Sequence, residues 1–240
     1  LTPTGISLML RITTSALLLI LLLFPEQTNA EEHSALKPVP RSGGWMTRHE
    51  SFNKKVAQGN VDLVFIGDSI TQGWEGNGKD IWAKYYGERN AVNLGIGGDR
   101  TQHVIWRLDN GNLKDITPKA AVIMIGTNNS GSNSSQEIAE GVKKIVEQIR
   151  NKSPKTKILL LAVFPRGATK DDARRKVNQG ANAVFSKLDD GKHIHYLDIG
   201  GAFLQEDETL PRNIMPDLLH LSPQGYEIWA KSIETKLASM

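Results

Sequence analysis

Four polar stretches carry the side chains with chemical potential, and each stands behind an apolar run. Gly67-Asp68-Ser69-Ile70-Thr71 offers a serine hydroxyl at the start of a helical turn, with the serine backbone N–H free to face a ligand. The same serine has a plainer reading as a helix N-cap, a common use of Ser. Gly95-Ile96-Gly97-Gly98-Asp99 offers backbone N–H groups that can approach a ligand closely, or simply a tight turn. Gly126-Thr127-Asn128-Asn129 offers a side-chain amide able to donate to a developing oxyanion, worth roughly 3 kcal/mol in acyl transfer. Its plain alternative is an Asn-rich turn before Ser130-Gly131-Ser132. Asp217-Leu218-Leu219-His220 sets a carboxylate three residues before an imidazole. The carboxylate can hold one ring tautomer while the other nitrogen takes a proton from a serine.

Other chemistries find less support. His33, His49, His193 and His195 read as surface or structural, and His103, beside the glycine turn, is the less settled one. Asp198 reads as a turn residue. No His-x-x-x-His or H-E-x-x-H spacing suggests a metal site, so neither metal nor cofactor is expected. The G-x-G-G spacing is not a dinucleotide fingerprint, and neither a phosphate-binding G-x-x-x-x-G-K-[ST] loop nor a G-x-S-x-G elbow occurs. The chain contains no cysteine, which excludes a disulfide framework and a thiolate nucleophile. A net charge of +3, from 29 basic and 26 acidic residues scattered along the chain, implies no nucleic-acid partner.

Five apolar runs position the four stretches: Val61–Ile66, Ala91–Leu94, Ala120–Ile125, Lys157–Phe164 and Ile194–Leu197. Near-continuous apolar character marks strands of a parallel sheet covered on both faces. Between them, Gln136–Arg150 places Ile138, Val142, Ile145, Val146 and Ile149 on one helical stripe. Asp171–Leu188 reads as another helix, weakened by Gly180. Ser222 with Pro223 opens a last helix that buries Ile228, Trp229, Ile233 and Leu237. Alternation of this kind predicts a three-layer α/β domain with a five-stranded parallel sheet and helices on both faces. Ligands bind such sheets beyond the carboxyl ends of the strands, where the four stretches lie.

With 240 residues, 39% apolar and 23% charged, the chain suits a globular fold of one domain or at most two small ones. Residues 1–30 stand apart: Arg11, the nine-residue run Ala16–Phe24 and Thr28-Asn29-Ala30 describe a secretory signal peptide. The run falls short of the roughly 20 residues that span a bilayer, so export to the periplasm or beyond is expected, rather than stable membrane insertion. An uncleaved anchor is the alternative, and Met9 is a candidate start. Residues 31–42, with two prolines, read as a lead-in without regular structure, and 43–240 as the domain.

Taken in order, the four stretches resemble the four blocks of the SGNH, or GDSL-like, hydrolase superfamily, from about Val61 to the C-terminus. Asn93-Leu94-Gly95-Ile96-Gly97-Gly98-Asp99, His103–Leu108, Phe164-Pro165-Arg166-Gly167 and Leu219-His220-Leu221 look closer still to the catalytic subunits of intracellular platelet-activating-factor acetylhydrolases. The resemblance implies a flavodoxin-like sheet, with Ser69 as nucleophile, His220 as base and Asp217 as its orienter. It also implies an oxyanion hole from the Ser69 N–H, the Gly98 N–H and the Asn128 amide, with Gly97 as the competing glycine. The activity so implied is hydrolysis of short-chain, acetyl-like O-esters of small molecules or acetylated glycans. A lipid acylhydrolase or thioesterase, or a noncatalytic binding domain, are the alternatives. The loop Phe203–Pro216 is expected to shape the pocket rim, and a homodimer is conceivable by the same resemblance. The first block departs from the family name by Ile70 in place of Leu.

Overall fold

The strands are short and apolar because two layers of helices cover them. In the computed structural model, which describes Leu1 and residues 32–240, they are β1 (Leu63–Gly67), β2 (Ala91–Gly95), β3 (Ala120–Met124), β4 (Lys157–Leu161) and β5 (Ile194–Leu197). The signal-peptide reading therefore falls, Leu1 apart, outside the described residues. All strands are parallel, in the order β2-β1-β3-β4-β5, with Phe65 of β1 level with Asn93 on one side and Val122 on the other. This is a doubly wound order whose direction switches beside β1, leaving a crevice beyond the carboxyl ends of β1 and β3.

Alternate side chains of each inner strand enter opposite cores. Val64, Ile66, Ala121, Ile123, Ile158 and Leu160 pack against α1 (Gly44–Val56), α4 (Thr101–Asp109), α5 (Ser135–Lys152) and α6 (Ala173–Phe185). Leu63, Phe65, Val122, Met124, Leu159 and Leu161 pack against α3 (Lys79–Tyr86) and α7 (Pro223–Ala238). The short α2 (Ser69–Gln72) lies between β1 and a 3-10 turn, Gly73–Glu75. Each aliphatic side chain so buried contributes about 1.5–3 kcal/mol.

Local signals explain the helix ends. Ser134 and Glu137 form a reciprocal capping box at the start of α5, and its predicted stripe, Ile138, Val142, Ile145, Val146 and Ile149, is buried. Ser222 caps α7 with Pro223 at the first position, as the sequence predicts. The helix predicted over Asp171–Leu188 starts at Ala173, because the Asp172 carboxylate accepts the Arg175 N–H at 2.9 Å, and becomes a 3-10 turn after Phe185.

The lead-in has no helix or strand over its described residues, as expected, and it packs on the domain: Ala35 is buried and its carbonyl accepts the Thr101 hydroxyl at 2.8 Å. Two expectations need correction. β5 is only half-buried along its length, because it is an edge strand rather than an inner one. The loop 203–216 is not merely a rim. Phe203, Leu210, Ile214 and Met215 sink into the second core, and Arg175 donates to the Glu208 carbonyl at 2.9 Å. The helix α1 went unread, although Trp45, His49, Phe52 and Val56 recur at helical spacing and are buried.

Gly180 has a packing reason. A Cβ there would stand 2.4 Å from Ser135 Oγ and 2.9 Å from Ser135 Cβ, so α5 and α6 touch at this point. Alanine favours a helix over glycine by about 1 kcal/mol. Even so, Gly180→Ala is expected to destabilise the fold by roughly 1–3 kcal/mol through overpacking, measured by urea unfolding. Adding Ser135→Gly should restore most of that loss; a double-mutant cycle without coupling would refute the contact.

Candidate active site

The serine expected to be chemically active is not the cap of its helix. Asp68 is the N-cap of α2: its Oδ1 accepts the Ile70 N–H at 2.9 Å, and Ser69 is the first helical residue. The capping alternative for Ser69 thereby falls. Its hydroxyl is left for another partner, and its N–H is one that a helix start leaves unpaired.

That partner comes from 151 residues away. Ser69 Oγ lies 2.9 Å from His220 Nε2, and His220 Nδ1 lies 2.6 Å from Asp217 Oδ2. The other Asp217 oxygen accepts the N–H groups of Leu219 at 3.0 Å and His220 at 2.7 Å. The turn closes on Leu218, which takes a φ of 63°, a costly left-handed conformation for a branched residue. Surrounding bonds hold it: Leu218 N–H donates to the Met215 carbonyl, its own carbonyl accepts Gly167 N–H, and Ser222 N–H donates to the Ile214 carbonyl. Burial pushes the Asp217 carboxyl up, but hydrogen bonds from the His220 ring and backbone outweigh it, and the net shift is downward. Side chains of His220 and Asp217 are 43% and 56% exposed, so the site is open.

The aromatic layer beneath brings the two ends together. Tyr226 of α7 donates its hydroxyl to the Ile70 carbonyl at 2.7 Å, and Asn77 donates to the Leu221 carbonyl at 3.0 Å. Trp74 packs on Trp229 and Tyr226 with ring centroids 4.9 and 4.6 Å apart. The helix after His220 is thus clamped to the turn after Ser69.

The glycine and asparagine stretches meet the same rim. Gly97 N–H donates to Gln72 Oε1 at 2.6 Å and is spent. Gly98, with a φ of 76°, has an N–H with no acceptor among the described residues. Of the two glycines, Gly98 is the available donor. Asn128 Nδ2 donates one hydrogen to the Asp99 carbonyl at 2.9 Å, which fixes the amide and leaves its second hydrogen. Asn129 is buried and structural, accepting the Thr101 N–H.

Several supporting residues escaped the sequence reading. The Asp99 carboxylate is buried and holds Trp45 Nε1 at 2.6 Å and Arg107 Nε at 2.9 Å. His49 is buried on Trp45 with Asn112 at 3.2 Å, which makes it structural rather than surface, one of the two roles expected of it. His103 accepts the Arg100 N–H at 3.0 Å, and so is structural. Asp198 accepts the Gly200 N–H, a turn role. Among the described residues no group of three or more His, Asp or Glu is placed to hold a metal ion. A concavity of about 530 Å³ lies elsewhere, between α1 and α3 beside β2, lined by Arg48, Phe52, Trp74 and Trp82.

Residues 65–228 match the profile of the GDSL-like Lipase/Acylhydrolase family. The human platelet-activating factor acetylhydrolase IB subunit alpha1 is 35% identical over 214 residues, covering 87% of this chain and 91% of that protein. This chain belongs to the GDSL-like lipase/acylhydrolase family. The rat subunit alpha2 is 38% identical over 185 residues, 76% of this chain and 78% of that one. Among solved structures, a GDSL-like lipase from Bacteroides thetaiotaomicron superposes with a TM-score of 0.65 at 21% identity, covering 80% of this chain and 97% of that one. A catalytic mutant of an acetylxylan esterase from Geobacillus stearothermophilus gives 0.60 at 20% identity, covering 75% and 94%. At these identities the structural likeness speaks for the fold alone. The family is one of ester-cleaving hydrolases. Ile70, where the family name has Leu, is 1% exposed in the second core, so the swap keeps an apolar side chain buried.

Burial raises the Asp68 carboxyl to about 7; the Ile70 N–H draws it back only in part, and Asp99 pushes it further up. Between about pH 4 and about pH 7 the folded chain keeps a proton that the unfolded chain has lost, so this group's contribution to stability falls as pH rises. His49 and His103 act oppositely. Burial lowers both, His103 to about 4, so their contribution falls as pH drops below the unfolded value. Comparison with Asp68→Asn separates the two. The variant is expected to gain stability relative to the parent as pH rises from about 5 to about 8; a thermal-melt difference that stays flat would contradict the raised carboxyl.

Proposed function

We propose that this protein is a serine ester hydrolase acting on short-chain, acetyl-type O-esters, with an O-acetylated carbohydrate as the substrate class. The observation that carries the reading is the unbroken relay from Ser69 Oγ to His220 at 2.9 Å and on to Asp217 at 2.6 Å. His220 Nε2 takes the hydroxyl proton as Ser69 Oγ bonds to the acyl carbon. Negative charge moves to the carbonyl oxygen, where the Ser69 N–H, the Gly98 N–H and the Asn128 amide are donors. Collapse breaks the bond to the alcohol, which leaves with the proton from His220. Water, deprotonated by His220, then attacks the acyl-serine, and the Ser69 oxygen leaves with that proton as the carboxylic acid is released. Asp217 stays ionised and holds the ring tautomer.

The acetyl preference is supported by the open rim, where the His220 and Asp217 side chains are exposed, and by the names of the similar acetylhydrolase subunits and acetylxylan esterase. The carbohydrate assignment rests further on the expected export of the chain, through the segment before residue 31. Identity to the acetylhydrolase subunits favours a second reading, an acetylated phospholipid.

Hydrolysis of p-nitrophenyl acetate should exceed that of octanoate and longer esters; a long-chain preference would remove the acetyl assignment. Ser69→Ala should lower kcat by at least about 10³-fold, and Asp217→Ala should cost less than Ser69→Ala. Undiminished activity in Ser69→Ala would end the nucleophile assignment. Acetate release from acetylated xylan against an acetylated phospholipid decides between the two substrate classes.

A further inference from the structure

The lead-in segment carries a cation into the site. Val39 N–H donates to the Gln102 carbonyl at 3.4 Å, Asn133 donates to the Ser34 hydroxyl at 3.0 Å, and Ala35 is anchored by Thr101. These contacts seat the segment across the start of α4, and Arg41 at its end reaches the glycine loop. Arg41 Nη1 donates to the Gly97 carbonyl at 2.8 Å and stands 3.0 Å from where a Cβ of Gly98 would be. On the other side of Gly97, the nearest atom to its own Cβ position after Gln72 is Ser69 Cβ, at 3.8 Å. The guanidinium is therefore beside Gly98, the proposed oxyanion donor, on the loop that also borders Ser69.

Its charge is not consumed by the protein. The one carboxylate near it is Asp99, at 3.8 Å, and Asp99 is already matched by Arg107 Nε at 2.9 Å and by Trp45. The Arg41 side chain is 40% exposed. Two other arginines near the rim have different surroundings. Arg166 bonds to Thr127 and lies in the field of Asp172, Asp68 and Asp217, while Arg100 reaches the Ser132 hydroxyl. Arg41 is an exposed guanidinium beside the glycine loop without a carboxylate of its own, and its planar fork suits a carboxylate from outside.

We propose that Arg41 is a specificity-determining residue that binds a carboxylate on the alcohol side of the ester, so that the substrates are acetylated acidic sugars of the uronic-acid type. The inference rests on the ester-hydrolase reading above and narrows its substrate. The ester is cleaved by the same steps, and the anion is held by the guanidinium while the alcohol leaves.

The test uses paired probes, 3- and 4-acetoxybenzoate and their methyl esters, with the full domain, Arg41→Gln and Arg41→Lys. The kcat/KM ratio of acid to methyl ester, parent against Arg41→Gln, cancels the intrinsic reactivity of each ester. This double ratio should be roughly tenfold for at least one isomer, expressed mainly in KM, and should shrink with added salt. Arg41→Lys, which keeps the charge but not the fork, should retain part of it. A double ratio of one for both isomers overturns the inference, as does an equal loss on acid and methyl ester, which marks Arg41 as a mere support of the glycine loop. Absence of hydrolysis of every probe by the parent overturns the ester-hydrolase reading itself. With polymers, faster acetate release from acetylated galacturonan than from acetylated neutral xylan is expected, and Arg41→Gln should narrow that gap; release confined to the neutral polymer overturns the assignment.

Discussion

The loop that carries Gly98, the proposed oxyanion donor, stands on one buried carboxylate. Asp99 is 0% exposed, and a carboxylate in that position is costly unless it is fully bonded. Its two oxygens hold the Trp45 ring N–H of α1 and the Arg107 guanidinium of α4, and its backbone carbonyl holds the Asn128 amide. Arg107 is buried as well and also reaches Asn112 and the Gly67 carbonyl at the end of β1. One ion pair therefore ties two helices, the end of the central strand and a proposed oxyanion donor into one arrangement. A hydrophobic pair of similar volume would pack as well, but it would not specify where Gly98 and Asn128 stand. Removing one partner alone leaves a buried charge uncompensated, a loss of about 3–5 kcal/mol.

The opposite side of the site rests on packing. Phe65, Trp74, Tyr86, Tyr226 and Trp229 form a contiguous aromatic layer under the turn that carries Ser69. Aromatic side chains give large contact area with few rotatable bonds, so the clamp between α7 and α2 loses little entropy on ordering. It supports a triad turn that is itself exposed and strained at Leu218. Rigidity beneath and exposure above suit the proposed ester-hydrolase site, in which three side chains are held in register and open to solvent. The same economy explains why Asp68 is tolerated: its carboxyl is destabilised as an anion by burial, yet it frees Ser69 from the capping duty that serine would otherwise take.

Much was legible without coordinates. Continuous apolar runs announce strands covered on both faces, and the stripe of Ile138, Val142, Ile145, Val146 and Ile149 announces α5, because burial against a regular element imposes its own period on the chain. The order of the serine, glycine, asparagine and Asp–His stretches, each behind a strand or its loop, places them at one end of the sheet by topology alone. α1 carried a readable period too, at Trp45, His49, Phe52 and Val56, but two of its four anchors are an imidazole and an indole, which speak less plainly of burial than aliphatic residues.

What only the tertiary structure decided were relations without a period. That Asp68 rather than Ser69 caps α2, that Gln72 consumes the Gly97 N–H and leaves that of Gly98, and that Arg41 reaches back across the glycine loop depend on which groups come within about 3 Å. Residue types along a chain dictate local conformation and the face each element buries, since these follow from repeating geometry. The partner of a single donor or charge follows from how separate elements dock, and residues 151 apart acquire that relation only when the sheet and its two helical layers have closed.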